Sequence, residues 1–311
     1  MIGLVANESM KIYSRKLTWI LLLLLFAITI GSSILGTINN TNATDWRAET
    51  TQLVHQYEDR LKITELSPTL RTDAENKLKI AKYRLENDFP APSNNPWSAL
   101  LTFSGLIEMV IVFAIVIAAD IVAGEYTAGT MKLLLIRPHN RAKILFSKYI
   151  AVSLFAIVML ALLAVCGYAT NALFYGLGDI HTTDLFLNQQ GQVVQLNVLM
   201  QGIKMYGLSL FPIMSYVTLA FAISTVLRNS ALAIGISLFI MIVGNSMIEA
   251  TAKMEWLKYL PFANSDMSLY IFHLPARPEM TLNFSITVLL VYIVALILLS
   301  WNVFKKRDVS I

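Results

Sequence analysis

The stretch from Tyr149 to Gly178, YIAVSLFAIVMLALLAVCGYATNALFYGLG, contains no aspartate, glutamate, lysine or arginine. About 20 apolar residues are enough for an α-helix to cross the hydrocarbon core of a bilayer, so this stretch is predicted to be a transmembrane helix. The composition of the whole chain agrees with a membrane location. Only 14% of its 311 residues are charged and 56% are hydrophobic, whereas soluble domains carry about 25% charged residues.

Five more stretches are predicted to span a bilayer, and we therefore expect an all-α integral membrane protein with six transmembrane helices. Four of these five contain no acidic or basic residue, and the fifth contains only Glu108. The six predicted spans are residues 17–38, 98–119, 149–178, 205–227, 229–248 and 280–304.

The basic residues indicate how the chain is oriented. Residues 1–16 are predicted to form an amphipathic helix in the membrane interface, with Lys11 and Arg15 reaching toward lipid headgroups. Further basic residues lie in the connection 120–148 and in the tail 305–311. Short loops rich in lysine and arginine stay on the cytoplasmic side, so both termini are expected in the cytoplasm and the protein in the cell membrane. Clustering at membrane edges also argues against a nucleic-acid partner.

Three connections are expected outside the cytoplasm, at residues 39–97, 179–204 and 249–279. The first is long and carries charges of both signs, and apolar residues recur at helical spacing on both sides of Ser67-Pro68. This pattern predicts an extracytoplasmic helical hairpin between the first two spans. Two interpretations of the hairpin stay open: a solvated decoration, or a surface that binds a partner or gates an exit.

The cytoplasmic connection 120–148 contains an unusually apolar segment. Gly129-Thr130 is predicted to break one helix and cap the next, a short helix follows from Met131 to Ile136, and Arg137-Pro138 ends it. The run Leu133-Leu134-Leu135-Ile136 would be unfavourable if it were bare in the cytoplasm. Such a patch normally lies on the bilayer or is covered by another protein.

The same connection resembles a known family. The pattern is a glutamate, a Gly-Thr pair, a Leu-Leu pair, a proline, an arginine and then a lysine, after the second span. In this sequence it is formed by Glu125, Gly129, Thr130, Leu134, Leu135, Pro138, Arg141 and Lys148. It is similar to the segment found in type-2 ATP-binding-cassette (ABC) exporter permeases, and the likeness extends along nearly the whole chain, including Trp256–Phe262 before the last span.

The resemblance implies a set of partners and a mechanism. The internal segment would be a coupling helix that seats in a separate ABC ATPase subunit, and two permease protomers would form the transport path. The segment 249–279 would be re-entrant. ATP and magnesium would be bound by the ATPase, with no cofactor on this chain. The residues implied to couple to the ATPase are Glu125, Gly129, Thr130, Met131, Leu134, Leu135, Pro138 and Arg141. The host would be a bacterium.

Motifs for other chemistry are missing from the sequence. The string Gly124–Met131 lacks the lysine that a phosphate-binding loop requires after its second glycine, and no His-Glu-x-x-His zinc motif occurs. The single cysteine, Cys166, cannot form an internal disulfide. The chain by itself is therefore expected to be neither a P-loop ATPase nor another enzyme.

Glu108 is the charged residue of greatest interest because it is predicted to lie near the bilayer midplane, eleven residues from Trp97 and twelve from Asp120. An uncompensated carboxylate there would cost several kcal/mol, so it is expected to be protonated, paired or in contact with water. A hydrogen bond between helices and a role in lining or gating a pathway are both consistent with this position.

Three functions remain after these considerations. The leading one is the permease subunit of an ATP-driven exporter, with an amphipathic, drug-like or peptide-like cargo that the sequence does not identify. The alternative is a membrane scaffold or sensor that binds an envelope ligand through the hairpin and signals without transport. The third is an intramembrane enzyme, which would need a second catalytic group beside Glu108. Whether the second protomer is an identical copy or a related permease also stays open.

Overall fold

The computed structural model describes residues 1–40, 45–63, 66, 68–92, 95–130, 140–188, 190–246, 254–272, 277 and 279–306. Within these ranges the chain is mostly helical. The helices are α1 (Ile2–Ser14), α2 (Lys16–Asn40), α3 (Trp46–Leu61), α4 (Pro68–Glu86), α5 (Ala99–Thr102), α6 (Ile107–Thr127), α7 (Arg141–Tyr175), α8 (Val198–Leu227), α9 (Ser230–Ser246), α10 (Ser268–Ile271) and α11 (Leu282–Lys306). Short 3-10 turns occupy Pro96–Ser98, Phe103–Leu106, Glu255–Tyr259 and Phe262–Asn264.

Five helical stretches in the described ranges are long and apolar enough to cross a membrane. They are Lys16–Ile38, Pro96–Thr127, Arg141–Tyr175, Val198–Leu227 and Leu282–Lys306. The helix α9 is apolar but has only 17 residues, which is short of the usual span of about 20. Residues 247–253 after it lie outside the described ranges, so the sixth span stays a prediction.

The helices on either side extend into the connection predicted at 120–148, beyond the spans predicted at 98–119 and 149–178. The helix α6 continues through Asp120 and Glu125 to Thr127, and α7 already begins at Arg141 and so includes Lys148. The charged side chains do not end these helices because ion pairs with the N-terminal segment compensate them, as described below. The connection that remains runs from 128 to 140.

The predicted outer loop at 179–204 also differs from the structure, because it contains two strands in an otherwise helical chain. Strand β1 (Thr183–Leu187) pairs antiparallel with β2 (Val193–Asn197), with Thr183 opposite Asn197. Leu185, Phe186 and Leu187 of β1 are buried, and Asn188 accepts the backbone N–H groups of Gln190 and Gln192 in the turn. The fourth predicted span, 205–227, begins earlier at Val198, where Asn197 caps α8.

The helix α6 lies at the centre of the bundle and packs against α7, α8 and α9. Its residues Ile115, Ile117 and Val122 are fully buried. A polar contact fixes α6 against α8: the Ser224 hydroxyl donates to the carbonyl of Ala119 at 2.5 Å and accepts the N–H of Ala123 at 3.0 Å. The centre of the bundle is therefore held by a helix that carries charges only near its two ends.

The chain turns sharply between α1 and α2. Arg15 has an extended backbone conformation that interrupts the helix. Side chains at the start of α2 then satisfy carbonyls at the end of α1, since Thr18 donates to Ile12 at 2.5 Å and the indole of Trp19 donates to Tyr13 at 2.8 Å. These bonds fix the angle at which the N-terminal helix leaves the first apolar helix.

The helices α3 and α4 pack against each other at the opposite end of the molecule. Val54, Ala74 and Ala81 are buried between them, and Asp45 caps α3 by accepting the N–H of Arg47 at 2.9 Å. Leu53 of α3 is partly exposed and lines a cavity. Ser67, of the Ser67-Pro68 pair that separates the two predicted hairpin helices, lies outside the described residues.

Candidate functional site

The residues predicted to couple the chain to an ATPase surround the connection 128–140. Glu125 is buried near the end of α6, and Gly129, with φ of 70°, follows the end of that helix. The hydroxyl of Thr130 lies 3.4 Å from the carbonyl of Glu125. Asn140 caps α7 by accepting the N–H of Ala142, so Arg141 is the first residue of that helix. Four predicted coupling residues lie outside the described residues: Met131, Leu134, Leu135 and Pro138.

Beside this connection, four charged side chains form a network that we call the four-charge cluster: Glu8, Lys11, Glu125 and Lys148. The Nζ atom of Lys148 lies 2.7 Å from a carboxylate oxygen of Glu8 and 2.7 Å from one of Glu125. The Nζ atom of Lys11 lies 2.8 Å from each of the same two side chains. Lys148 is 0% exposed, Glu8 4% and Glu125 7%. Two negative groups and one positive group are thus buried together and a second positive group, on the partly exposed Lys11, closes the network, with α1, α6 and α7 each contributing at least one.

The pKa values at the α1 side of the cluster show that it stabilises the charged forms. Burial would raise the pKa of Glu8, but the ammonium groups of Lys148 and Lys11 lower it below its ordinary value of 4.5. Burial would lower the pKa of Lys11, but hydrogen bonds to Glu125 and Glu8 raise it above its ordinary value of 10.5. Both groups are therefore ionised throughout the physiological pH range.

A second set of polar contacts joins the same end of the molecule. Arg15 forms an ion pair with Asp120 of α6, and the hydroxyl of Ser230, at the start of α9, donates to the other oxygen of that carboxylate. The guanidinium of Arg228 lies 4.6 Å above the ring of Tyr126. The N-terminal helix and the turn between α8 and α9 are thus both tied to the end of α6.

Sequence reasoning missed the four-charge cluster. It assigned Lys11 and Arg15 to lipid headgroups, whereas the structure pairs them with Glu8, Glu125 and Asp120. One local signal was available, because Glu8 is the only acidic residue in 1–16 and lies three positions before Lys11, a spacing that places the two on one helical face. The partner Lys148 is 140 positions from Glu8 and leaves no local pattern.

Glu108 lines a cavity of about 430 Å³ between α6, α8, α9 and the segment 254–272. Asp266, from the same segment, faces this cavity as well. The other polar residues that line it are Ser104, Ser209, Tyr216, Ser265 and Ser268. The structure therefore brings two carboxyl side chains and several hydroxyl groups into one space within the bundle.

The segment 254–272 folds back against the helices that precede and follow it. A Cβ atom on Gly244 of α9 would approach Phe262 to 2.5 Å, so the two backbones pack closely here. The side-chain amide of Asn264, which is 1% exposed, donates to the carbonyls of Lys258 at 2.7 Å and Leu260 at 2.8 Å and accepts from Ser285 of α11. These contacts hold Ser265 and Asp266 at the cavity.

The fold and the apolar helices define a multi-pass membrane protein. Comparison with known proteins places it more narrowly: the family described as "Protein of unknown function (DUF2705)" matches residues 74–310, and the chain belongs to this family. It is 32% identical to "Uncharacterized protein YhcI" of Bacillus subtilis (strain 168) over 315 aligned residues, covering 100% of both chains. It is also 32% identical to "Uncharacterized membrane protein YdbK" of the same organism, over 63% of this chain and 76% of that one.

Proposed function

We propose that this chain is the transmembrane permease subunit of an ATP-driven exporter of the type-2 ABC kind, with ATP hydrolysed by a separate ATPase subunit. The observation that carries the proposal is the position of the connection 128–140, because the pattern from Glu125 to Arg141 that resembles the coupling segment of such permeases spans this connection and the helix ends beside it. The connection joins two helices that the four-charge cluster locks to α1. A force on the connection would move α1, α6 and α7 together.

The proposed function implies an orientation of the chain in the membrane. The end of the molecule with α1, the connection 128–140 and the turn at Arg228 would face the cytoplasm, and α3, α4 and the β-strands would lie outside. Ser230 contacts Asp120 at one end of α9, and Gly244 lies against Phe262 near its other end. The helix α9 therefore extends from the proposed cytoplasmic end toward the opposite side. This direction supports α9 as a sixth membrane crossing that is followed by a re-entrant segment at 254–272. A second permease protomer would complete the transport path.

The cavity at Glu108 supports an amphipathic cargo with a cationic group. Its lining mixes apolar side chains such as Ile111 and Met241 with the carboxyl groups of Glu108 and Asp266. An acidic side chain inside a membrane bundle faces a protein interior or water-filled space rather than lipid, and a cavity supplies such a space. Glu108 would then contact the cargo or the water that accompanies it.

The direct test is purification of the complex from detergent. Leu134→Asp combined with Leu135→Asp should abolish co-purification of an ATPase, because a buried apolar contact would gain two charges. Leu134→Met combined with Leu135→Met keeps the apolar surface and should retain it. The ATPase is recognised by vanadate-sensitive ATP hydrolysis in the purified fraction. Retention of that activity in the double aspartate variant, with the protein still monodisperse, would overturn the coupling assignment.

The sensor alternative draws on a different part of the molecule, the cavities beside α3 and α4. It would be favoured if variants in those helices abolished a cellular response to an envelope ligand while export of every tested amphiphile continued. Loss of export in the connection variants favours the permease.

A further inference from the structure

Two cavities lie on either side of one stripe of α4. Lys77, Ile80 and Arg84, spaced at three and four residues, line both of them. One cavity, of about 280 Å³, opens between α3 and α4. The other, of about 420 Å³, lies between α4, strand β1 and α5. We call this pair of cavities the hairpin site.

The walls of the hairpin site combine apolar side chains with charged ones, and the acidic residues among them are Glu49, Asp73 and Asp184. On the α3 side they include Trp46, Leu53 and Tyr57, and on the strand side Leu101, Leu185 and Leu187. Leu185 and Leu187 are buried in the structure, so these walls are fixed by the packing of the β-strands. A chain of methylene groups would remove apolar surface from water on both sides of the stripe.

Arg84, which lines both cavities, carries one polar atom whose hydrogen bond is unsatisfied. Its side chain is only 12% exposed, and one guanidinium nitrogen, Nη2, forms an ion pair with Asp184. The other, Nη1, is buried and has no hydrogen-bond partner among the described residues. A buried charged donor without a partner is costly. Lys77 differs, because it is half-exposed and pairs with Asp73 at 2.9 Å.

We propose that the hairpin site binds an amphipathic molecule whose apolar chain lies against the cavity walls and whose carboxylate or other oxygen acceptor takes a hydrogen bond from Nη1 of Arg84. An ionised acceptor suits this position because charge-assisted hydrogen bonds are about twice as strong as neutral ones. The site goes beyond the proposed function, since it would exist whether or not the chain is a permease. The acceptor can belong to a free amphiphile or to a membrane lipid.

The test is native mass spectrometry of the full chain in detergent, titrated with octanoate or with octyltrimethylammonium. Octanoate should bind the wild-type chain and the cation should not. Arg84→Lys should weaken octanoate binding by roughly tenfold or more, because lysine keeps the charge beside Asp184 but has one nitrogen instead of three. Arg47→Lys is the matched control: Arg47 also pairs with an aspartate on the hairpin, Asp88, but is exposed, so this variant should bind octanoate as the wild type does.

A second variant tests the apolar part of the site. Ile80→Trp places a larger side chain on the stripe that lines both cavities without changing a charge, and it too should abolish octanoate binding while circular dichroism shows the same helix content as the wild type. If a co-purified anionic phospholipid is lost in Arg84→Lys, the natural occupant is a lipid; if only added octanoate responds, it is a free amphiphile. Equal binding of octanoate by wild type and Arg84→Lys, or equal binding of the cation, would overturn the proposal. Export and ATPase binding are not read out here, so the permease assignment can fail independently.

Discussion

Replacing Lys148 by methionine removes one ammonium group from the four-charge cluster while keeping a side chain of similar length. Lys148 is 0% exposed and makes two ion pairs of 2.7 Å, with Glu8 and with Glu125. After the substitution, two buried carboxylates share only Lys11, whose side chain is 38% exposed. Breaking a buried ion pair from one side costs about 3–5 kcal/mol, because a buried charge is left uncompensated. We expect Lys148→Met to destabilise the protein by an amount in that range.

The measurement is unfolding of the purified protein in mixed micelles with increasing dodecyl sulfate, followed by circular dichroism. Lys143→Met, on the same helix but exposed, is the control and should change the free energy of unfolding by less than about 0.5 kcal/mol. Adding Glu8→Gln to Lys148→Met restores the charge balance, so the double variant should recover at least half of the loss. The reasoning is refuted if Lys148→Met costs less than about 1 kcal/mol, or if the two substitutions are simply additive.

Three further outcomes follow from the structure. Because folding lowers the pKa of Glu8, its contribution to the free energy of unfolding should be lost as the pH falls below about 4.5; because folding raises the pKa of Lys11, its contribution should be lost as the pH rises above about 10.5. A series of unfolding measurements at different pH should show a smaller loss of stability on the acid side for Glu8→Gln than for the wild type. In the same unfolding assay, Gly244→Ala should destabilise the protein by about 1–3 kcal/mol through overpacking. The control Gly235→Ala should not destabilise the protein in this way, because the added Cβ atom meets open space. Under the proposed function, Glu108→Gln should slow export of a cationic amphiphile by everted vesicles and leave ATP hydrolysis by the complex intact, and unchanged export at every pH would remove Glu108 from the proposed pathway.

The transmembrane helices are the part of the fold that local sequence reveals best. A bilayer of about 30 Å imposes a run of roughly 20 apolar residues on each crossing, and such runs are visible without any knowledge of tertiary contacts. The charge-free run from Tyr149 to Gly178 lies almost entirely in α7, which ends at Tyr175. The run at 229–248 shows the limit of this argument, because the described helix α9 covers only Ser230–Ser246 of it.

Where helices end in charged surroundings, local reasoning failed for a physical reason. Asp120, Glu125 and Lys148 look like loop residues because an isolated charge at the edge of a membrane is expected to be solvated. In the structure each is compensated by a partner on α1 or, for Glu125, also on α7. The pairs with α1 join residues more than a hundred positions apart, so no short window of sequence contains both partners. The β-strands were missed because five-residue strands with buried leucines look like any short apolar loop.

The four-charge cluster also bears on how a permease of this design would work. The cluster joins α1, α6 and α7 at one end of the molecule. The cavity at Glu108 lies near the other end of α6, between that helix and three elements that do not belong to the cluster: α8, α9 and the segment 254–272. Ion pairs buried on three helices resist separation, since pulling one helix away would leave uncompensated charge. The residues of α6 and α8 that line the cavity carry mainly hydroxyl and apolar groups, with Glu108 among them. Under the proposed function, a push on the connection 128–140 would therefore displace α1, α6 and α7 as one body and change the width of the cavity that Glu108 and Asp266 line.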